Sequence, residues 1–149
     1  MKLYIETSVL NFLFGEDTPD KMEITKEFFK ILSQFEPFIS DIVLLEIENA
    51  PSPKKEILLE VINKYRLKAL RLTDDIEELA NIYMKEKIIP QKYYNDALHI
   101  AIATKYEMDV MVSWNLTHIV KLRTKIKIKE VNSELKLKDL IICTPEEII

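Results

Sequence analysis

The sequence predicts an α/β fold, a three-layer α/β/α sandwich around a central parallel sheet. Two observations lead there. Short apolar stretches of strand length alternate with helical segments along the 149 residues, and strands joined by helical crossovers pair in parallel. One helical segment, "NDALHIAIATKY", is apolar on nearly every face, so neighbours must cover it on most sides. No repeat, low-complexity stretch or linker interrupts the pattern, and the expectation is one domain, residues 1–149.

Each element follows from local chemistry. Leu3, Tyr4 and Ile5 form the first strand, and Thr7 or Ser8 stands where the next helix wants a cap. "DTPDKMEITKEFFKILSQF" is a helix: Thr18 caps it, Pro19 takes the first helical position, and Phe28, Leu32 and Phe35 recur at helical spacing. "PFIS" is a short strand leading into the helix "DIVLLEIENA". Ser52 and Pro53 open the helix "SPKKEILLEVINKY"; "LKALRL" is a candidate strand and "TDDIEELANIYMKEK" a capped helix. Beyond the apolar helix come the strands "DVMVS" and "DLIICT", and "TPEEI" sets Thr144, Pro145 and Glu147 in capping-box register.

Composition removes whole classes of function. Hydrophobic residues make up 48% and charged residues 31%, a globular balance rather than a disordered one. Gly15 is the sole glycine, whereas phosphate loops and dinucleotide fingerprints need several to let bare backbone approach phosphate. No apolar run is long enough to span a membrane, and the start lacks the basic region and small-residue cleavage site of a signal peptide. The lone Cys143 cannot form an internal disulfide, which points to a reducing cytoplasm. Net charge is −4, so contact with nucleic acid needs a local basic patch or a bound metal.

The acids hold the chemistry. Glu6 directly follows a strand that reads as buried, and burying a charge without a partner costs several kcal/mol. In the helix from Asp41, Asp41 and Glu48 lie on a polar arc, while Glu46 falls about 160° from Glu48 at roughly 100° per residue. That puts Glu46 on the apolar side, between Ile42 and Ala50. Asp96, preceded by Asn95, begins "DALHIAIA", a place that also suits a helix cap or a first-turn acid. His99 one turn later reads as a packed core residue, and His118 is distant in sequence, so a zinc site has little support. Nothing around Ser8 resembles a nucleophile elbow. In "KLRTKIKIK", Lys121, Arg123 and Lys125 begin an alternation that would line one face if extended, either as solvated surface or as a contact for RNA phosphate. In a parallel sheet ligands collect beyond the carboxyl ends of the strands, where Glu6 and Asn115 both fall. Oxygen ligands without histidine or thiolate suit a hard cation, Mg²⁺ or Mn²⁺, the usual apparatus for attacking phosphodiesters.

The set "YIETS", "FISDIVLLEI", "YYNDALHIAIAT" and "VMVSWNLTHIV" resembles the PIN-domain family, in particular the toxin ribonucleases of VapBC toxin–antitoxin systems. That resemblance implies a five-stranded parallel sheet in the order 3-2-1-4-5. It further implies Mg²⁺- or Mn²⁺-dependent endoribonuclease activity, an antitoxin partner and a homodimer. The family's four acids fall on Glu6, Glu46, Asp96 and Asn115, with Glu6, Glu46 and Asp96 as metal ligands. Thr7 or Ser8 matches the hydroxyl beside the first acid. Two positions depart from the family pattern: Glu6 is one methylene longer than the usual Asp, and Asn115 replaces an acid with a neutral amide. Two readings therefore stand side by side, a metal-dependent ribonuclease and a degenerate PIN domain that binds RNA or a protein without cutting.

Overall fold

A computed structural model describes residues 1–149 and places five strands in one sheet, ordered β3-β2-β1-β4-β5, with every neighbouring pair parallel. The first half runs β1 (Lys2–Ile5), α1 (Thr7–Phe12), α2 (Pro19–Lys30), β2 (Glu36–Ser40), α3 (Asp41–Glu48), α4 (Lys54–Lys64) and β3 (Lys68–Leu70). The second runs α5 (Asp74–Lys85), α6 (Tyr94–Lys105), β4 (Val110–Val112), α7 (Leu122–Glu134) and β5 (Ile141–Cys143). Single 3-10 turns follow α2 (Leu32–Gln34), precede α6 (Gln91–Tyr93) and close the chain (Pro145–Glu147). The three-layer class and the strand order are those the sequence led us to expect.

Three local expectations are corrected. The segment from Asp17 is not one helix: α2 stops at Lys30, because the chain must turn to bring Glu36 N–H to the Met1 carbonyl and enter the sheet. Thr18 precedes Pro19 as foreseen, but its hydroxyl donates to the Gly15 carbonyl instead of capping α2. The cation run beginning at Lys121 is not extended; it enters α7, whose buried Thr124, Ile128 and Val131 recur at helical spacing. A threonine in that buried row and the alternating lysines masked the helical period.

With one glycine in the chain, four helices end without the residue usually placed there. Arg66, Lys87, Glu107 and Lys136 take positive φ (52°, 57°, 56° and 57°) one residue beyond the caps of α4, α5, α6 and α7. Each end closes with a pair of reversed bonds, as in Leu67 N–H to the Ile62 carbonyl and Arg66 N–H to the Asn63 carbonyl. The residue after each turn is apolar: Leu67, Ile88, Met108 and Leu137. Left-handed backbone at a non-glycine residue costs about 1–2 kcal/mol, so burial of the following side chain must offset it.

One contiguous core joins the layers. Every residue from Ala97 to Thr104 in α6 is buried, as an all-round apolar helix requires, and α5 packs along it. The Tyr83 hydroxyl donates to Asn132 Oδ1 at 2.6 Å and lies 3.3 Å from the Thr104 hydroxyl, tying α5 to α7 and α6.

Candidate active site

The strand order reverses direction at β1, since β2 lies on one side of it and β4 on the other. Such a switch point opens a crevice at the carboxyl ends of the strands. Glu6 enters it directly: its N–H donates to the Val112 carbonyl at 3.0 Å, continuing the β1–β4 ladder by one residue.

Glu6 is 5% exposed and finds hydroxyl and amide donors where it might have lacked partners. Its carboxylate accepts from Ser8 N–H at 3.1 Å, from Ser8 Oγ and from Ser113 Oγ. Glu6 is thus itself the N-cap of α1, a role expected of Thr7 or Ser8. Both hydroxyls serve the acids instead. Thr7 Oγ1 donates to Glu46 Oε1 at 2.9 Å, and Ser8 Oγ also accepts from Trp114 N–H at 2.8 Å.

Glu46 is held from below by a directional chain. His99, 0% exposed, bonds Glu46 Oε1 through Nε2 at 2.5 Å and the Tyr4 hydroxyl through Nδ1 at 2.6 Å. Tyr4 continues to Ser40 Oγ at 2.7 Å. Ser40 Oγ already accepts the N–H groups of Ile42 and Val43 as cap of α3, so its proton goes to Tyr4. The Tyr4 hydroxyl thus meets Nδ1 of His99, and the proton on Nε2 is directed to Glu46. The cap of α3 and a carboxylate one and a half turns along it are therefore joined through the core.

Asp96 lies in the first turn of α6 with its side chain 16% exposed. Its Oδ2 accepts from Asn115 Nδ2 at 3.2 Å and pairs with His118 Nδ1 at 3.0 Å. Asn115 Oδ1 accepts the His118 N–H at 2.9 Å. Asn115 is therefore a strut between the end of β4 and Asp96. His118, distant in sequence, is adjacent in space; the turn after β4 folds it back.

The acids feel one another. Burial raises the Asp96 carboxyl above its ordinary range and the Glu6 charge raises it further, with His99, His118 and Asn115 opposing. Glu46 is lowered: burial acts upward, but the bonds from His99 and Thr7 and the His99 charge outweigh it. Burial disfavours charge on His99, yet the bond to Glu46 and the negative charges of Glu6, Glu46 and Asp96 leave it raised. A single buried imidazole thus feels all three acids.

No three His, Cys, Asp or Glu side chains stand as a closed cage, because each carboxylate is drawn to its own donors. Glu46 Oε2 and Asp96 Oδ1 nevertheless have no protein partner, and no buried polar side-chain atom is left unpaired. Both oxygens therefore face solvent while their twins are pinned. Mutually repelling carboxylates with open oxygens suit a hard cation in kind.

Other expected residues fall outside the cluster. Asn95 is exposed and outside the hydrogen-bond network. Lys121 is exposed at the start of α7, Arg123 donates to the Lys87 and Ile88 carbonyls, and Lys125 lies near Cys143. Helical spacing keeps Lys121 and Lys125 one turn apart on one side and turns Arg123 away from them. A separate cleft of about 440 Å³, lined by Asn11, Phe12, Phe14, Thr18, Pro53 and Ile57 among others, includes none of the acids. The sequence did not reveal Ser113, His118 or the Tyr4–Ser40 support of His99. Ser113 has a legible signal, a hydroxyl at the end of an apolar strand.

This arrangement of a 3-2-1-4-5 sheet with acids at its switch point is that of a PIN domain. Residues 3–115 match the PIN domain family model, and the chain belongs to that family. The matched span contains Glu6, Glu46, Asp96 and Asn115. Among solved structures, the chain is similar to one in the crystal structure of VapBC2 from Rickettsia felis bound to a DNA fragment from their promoter. The two share 16% identity at a TM-score of 0.59, over 97% of this chain and 98% of that one. At that identity the likeness establishes the fold. No curated protein matches the chain. No helix is long and apolar enough to cross a membrane.

Proposed function

We propose that this chain is a metal-dependent endoribonuclease that cuts RNA phosphodiesters, and that it is the toxin of a type II toxin–antitoxin pair. The observation that supports this best is the gathering of Glu6, Glu46 and Asp96 around the switch point, close enough for all three charges to act on His99. Glu6, Glu46 and Asp96 would hold Mg²⁺ or Mn²⁺, through the open oxygens of the last two. A divalent ion in such a site supplies activation of water and stabilisation of the departing oxygen. The protein's own residues do the rest. Thr7 and His99 fix the Glu46 carboxylate, Ser8 and Ser113 fix Glu6, and Asn115 with His118 fixes Asp96. Lys121 is free to meet phosphate, whereas Arg123 is engaged with backbone carbonyls.

The VapBC2 assembly supports a small antitoxin partner, and the cleft beside Phe14 and Ile57 offers it an apolar seat. We further assign the chain to the cytoplasm, as a homodimer of single-domain subunits comprising residues 1–149. One observation favours the second reading, a PIN domain that binds RNA or protein without cutting: the acids are satisfied by internal donors and form no closed cage.

Asp96→Asn separates the two. The variant keeps an acceptor for Asn115 and His118 but loses the charge that holds metal. With purified, antitoxin-free protein, Mn²⁺ and a fluorogenic single-stranded RNA, the native chain should cleave. Asp96→Asn should be slower by roughly tenfold or more, with an unchanged melting temperature. No cleavage by the native protein would transfer the preference to the non-cutting reading, and equal cleavage by both would remove Asp96 from the proposed metal site.

A further inference from the structure

Beside Asp96 the chain presents an exposed ring, Tyr93, that takes no part in the acids' hydrogen bonds and rests on His118, which does. Tyr93 closes the 3-10 turn before α6, three residues ahead of Asp96. Its ring lies 4.1 Å from the His118 ring, tilted by 38°, and the residue stays 41% exposed. His118 is pinned at three points: Nδ1 to Asp96, N–H to Asn115 Oδ1, and its carbonyl to the Thr124 hydroxyl at 2.7 Å. Lys92 places a cation 6.0 Å from the Tyr93 centroid. An exposed ring resting on an immobilised one has little rotamer freedom left to lose when a ligand arrives.

We propose that Tyr93, backed by His118, is the stacking platform for a nucleobase of the single-stranded RNA whose phosphodiester is presented to the acids. This rests on the nuclease reading above and adds to it a residue that positions substrate. His118 touches both Tyr93 and Asp96, so the seat for the base and the acid form one rigid unit. Every base has a π-face, so such a platform fixes position without choosing sequence. Lys92 supplies a positive charge to the phosphate of the stacked nucleotide.

Binding of a short fluorescein-labelled single-stranded RNA, followed by anisotropy in excess EDTA, reads the platform without cleavage. Stacking worth about 1–3 kcal/mol per base corresponds to roughly five- to 150-fold in affinity. Tyr93→Ala should weaken binding within that range, and Tyr93→Phe should stay within about twofold of native, since Phe keeps the π-face. Tyr93→Leu, which keeps apolar bulk but no π-face, should bind as poorly as Ala. Native-like binding by the Ala variant, full rescue by Leu, or no RNA binding by the native chain overturns the proposal. Cleavage in Mn²⁺ is scored separately. A native chain that cleaves while Tyr93→Ala leaves binding and KM unchanged defeats the platform alone. A chain that binds through Tyr93 but never cleaves keeps the platform and defeats the nuclease reading.

Discussion

Replacing Asn115 by Asp tests how the fourth site position works. In the structure Asn115 Nδ2 donates to Asp96 Oδ2 at 3.2 Å, while Oδ1 accepts the His118 N–H. Asn115→Asp keeps the second bond and turns the first into two carboxylate oxygens facing each other. At 3.2 Å and an effective dielectric of about 20, two unit charges repel by about 5 kcal/mol. Rotation, water at the partly exposed Asp96 and proton sharing return much of that, leaving an expected loss of about 1–3 kcal/mol in metal-free protein. Asn115→Ala removes both hydrogen bonds without adding charge, so the difference between the variants sets the repulsion against the retained His118 N–H bond, and only the repulsion grows as the carboxyls ionise. The sign with pH follows from Asp96, whose folded pKa is raised above its unfolded value of 3.8. Stability from such a group is fully present below the unfolded pKa and is lost as pH rises through the folded one. The Asn115→Asp deficit should therefore be smallest in acid and fully developed at neutral pH. Urea unfolding of the three proteins in EDTA, acidic and neutral, measures it. A divalent ion between the carboxylates removes the repulsion, so millimolar Mn²⁺ should stabilise Asn115→Asp more than the native chain. If Asn115→Asp loses no stability relative to Asn115→Ala between acidic and neutral pH, the Asn115–Asp96 contact is refuted. Equal Mn²⁺ gains would place Asn115 away from the ion.

Three further outcomes follow from the packing. Lys136→Gly relieves a left-handed residue at φ 57°, and about 1 kcal/mol gained should raise the melting temperature by about 2–4 °C. His99→Ala takes one of two hydrogen-bond partners from each of Tyr4 and Glu46 and opens a cavity, so urea unfolding should show a loss of about 2–4 kcal/mol. Burial pushes the Tyr83 phenol up to about 12. Its contribution is intact below its unfolded pKa of about 10 and falls as pH rises toward 12, by about 2–3 kcal/mol; alkaline urea titrations should show this step, and Tyr83→Phe should lack it.

What the sequence determined by itself was local and periodic. Alternation of strand-length apolar runs with helices dictated parallel pairing, and the all-round apolarity of Ala97–Thr104 dictated a covered helix. Glu6 was legible because a carboxylate after a buried strand demands a partner, and Glu46 because it breaks the polar arc of its helix. The identity of those partners was not legible. Ser113 is 107 residues from Glu6, and His99 is 95 from Tyr4 and 53 from Glu46; such pairings exist only once the sheet sets β1 between β2 and β4. His118 looked remote because it is 22 residues from Asp96, until the turn after β4 closed that gap. The cation run from Lys121 was misleading for the opposite reason, since neighbours in an alternating run part once it winds into α7, where Lys121 and Lys125 share a side and Arg123 leaves it. Residue type and period are properties of a segment, so the sequence determined the layers and nominated the acids. Which donor each acid meets is set by chain segments brought together from far apart, and that only the tertiary structure decided.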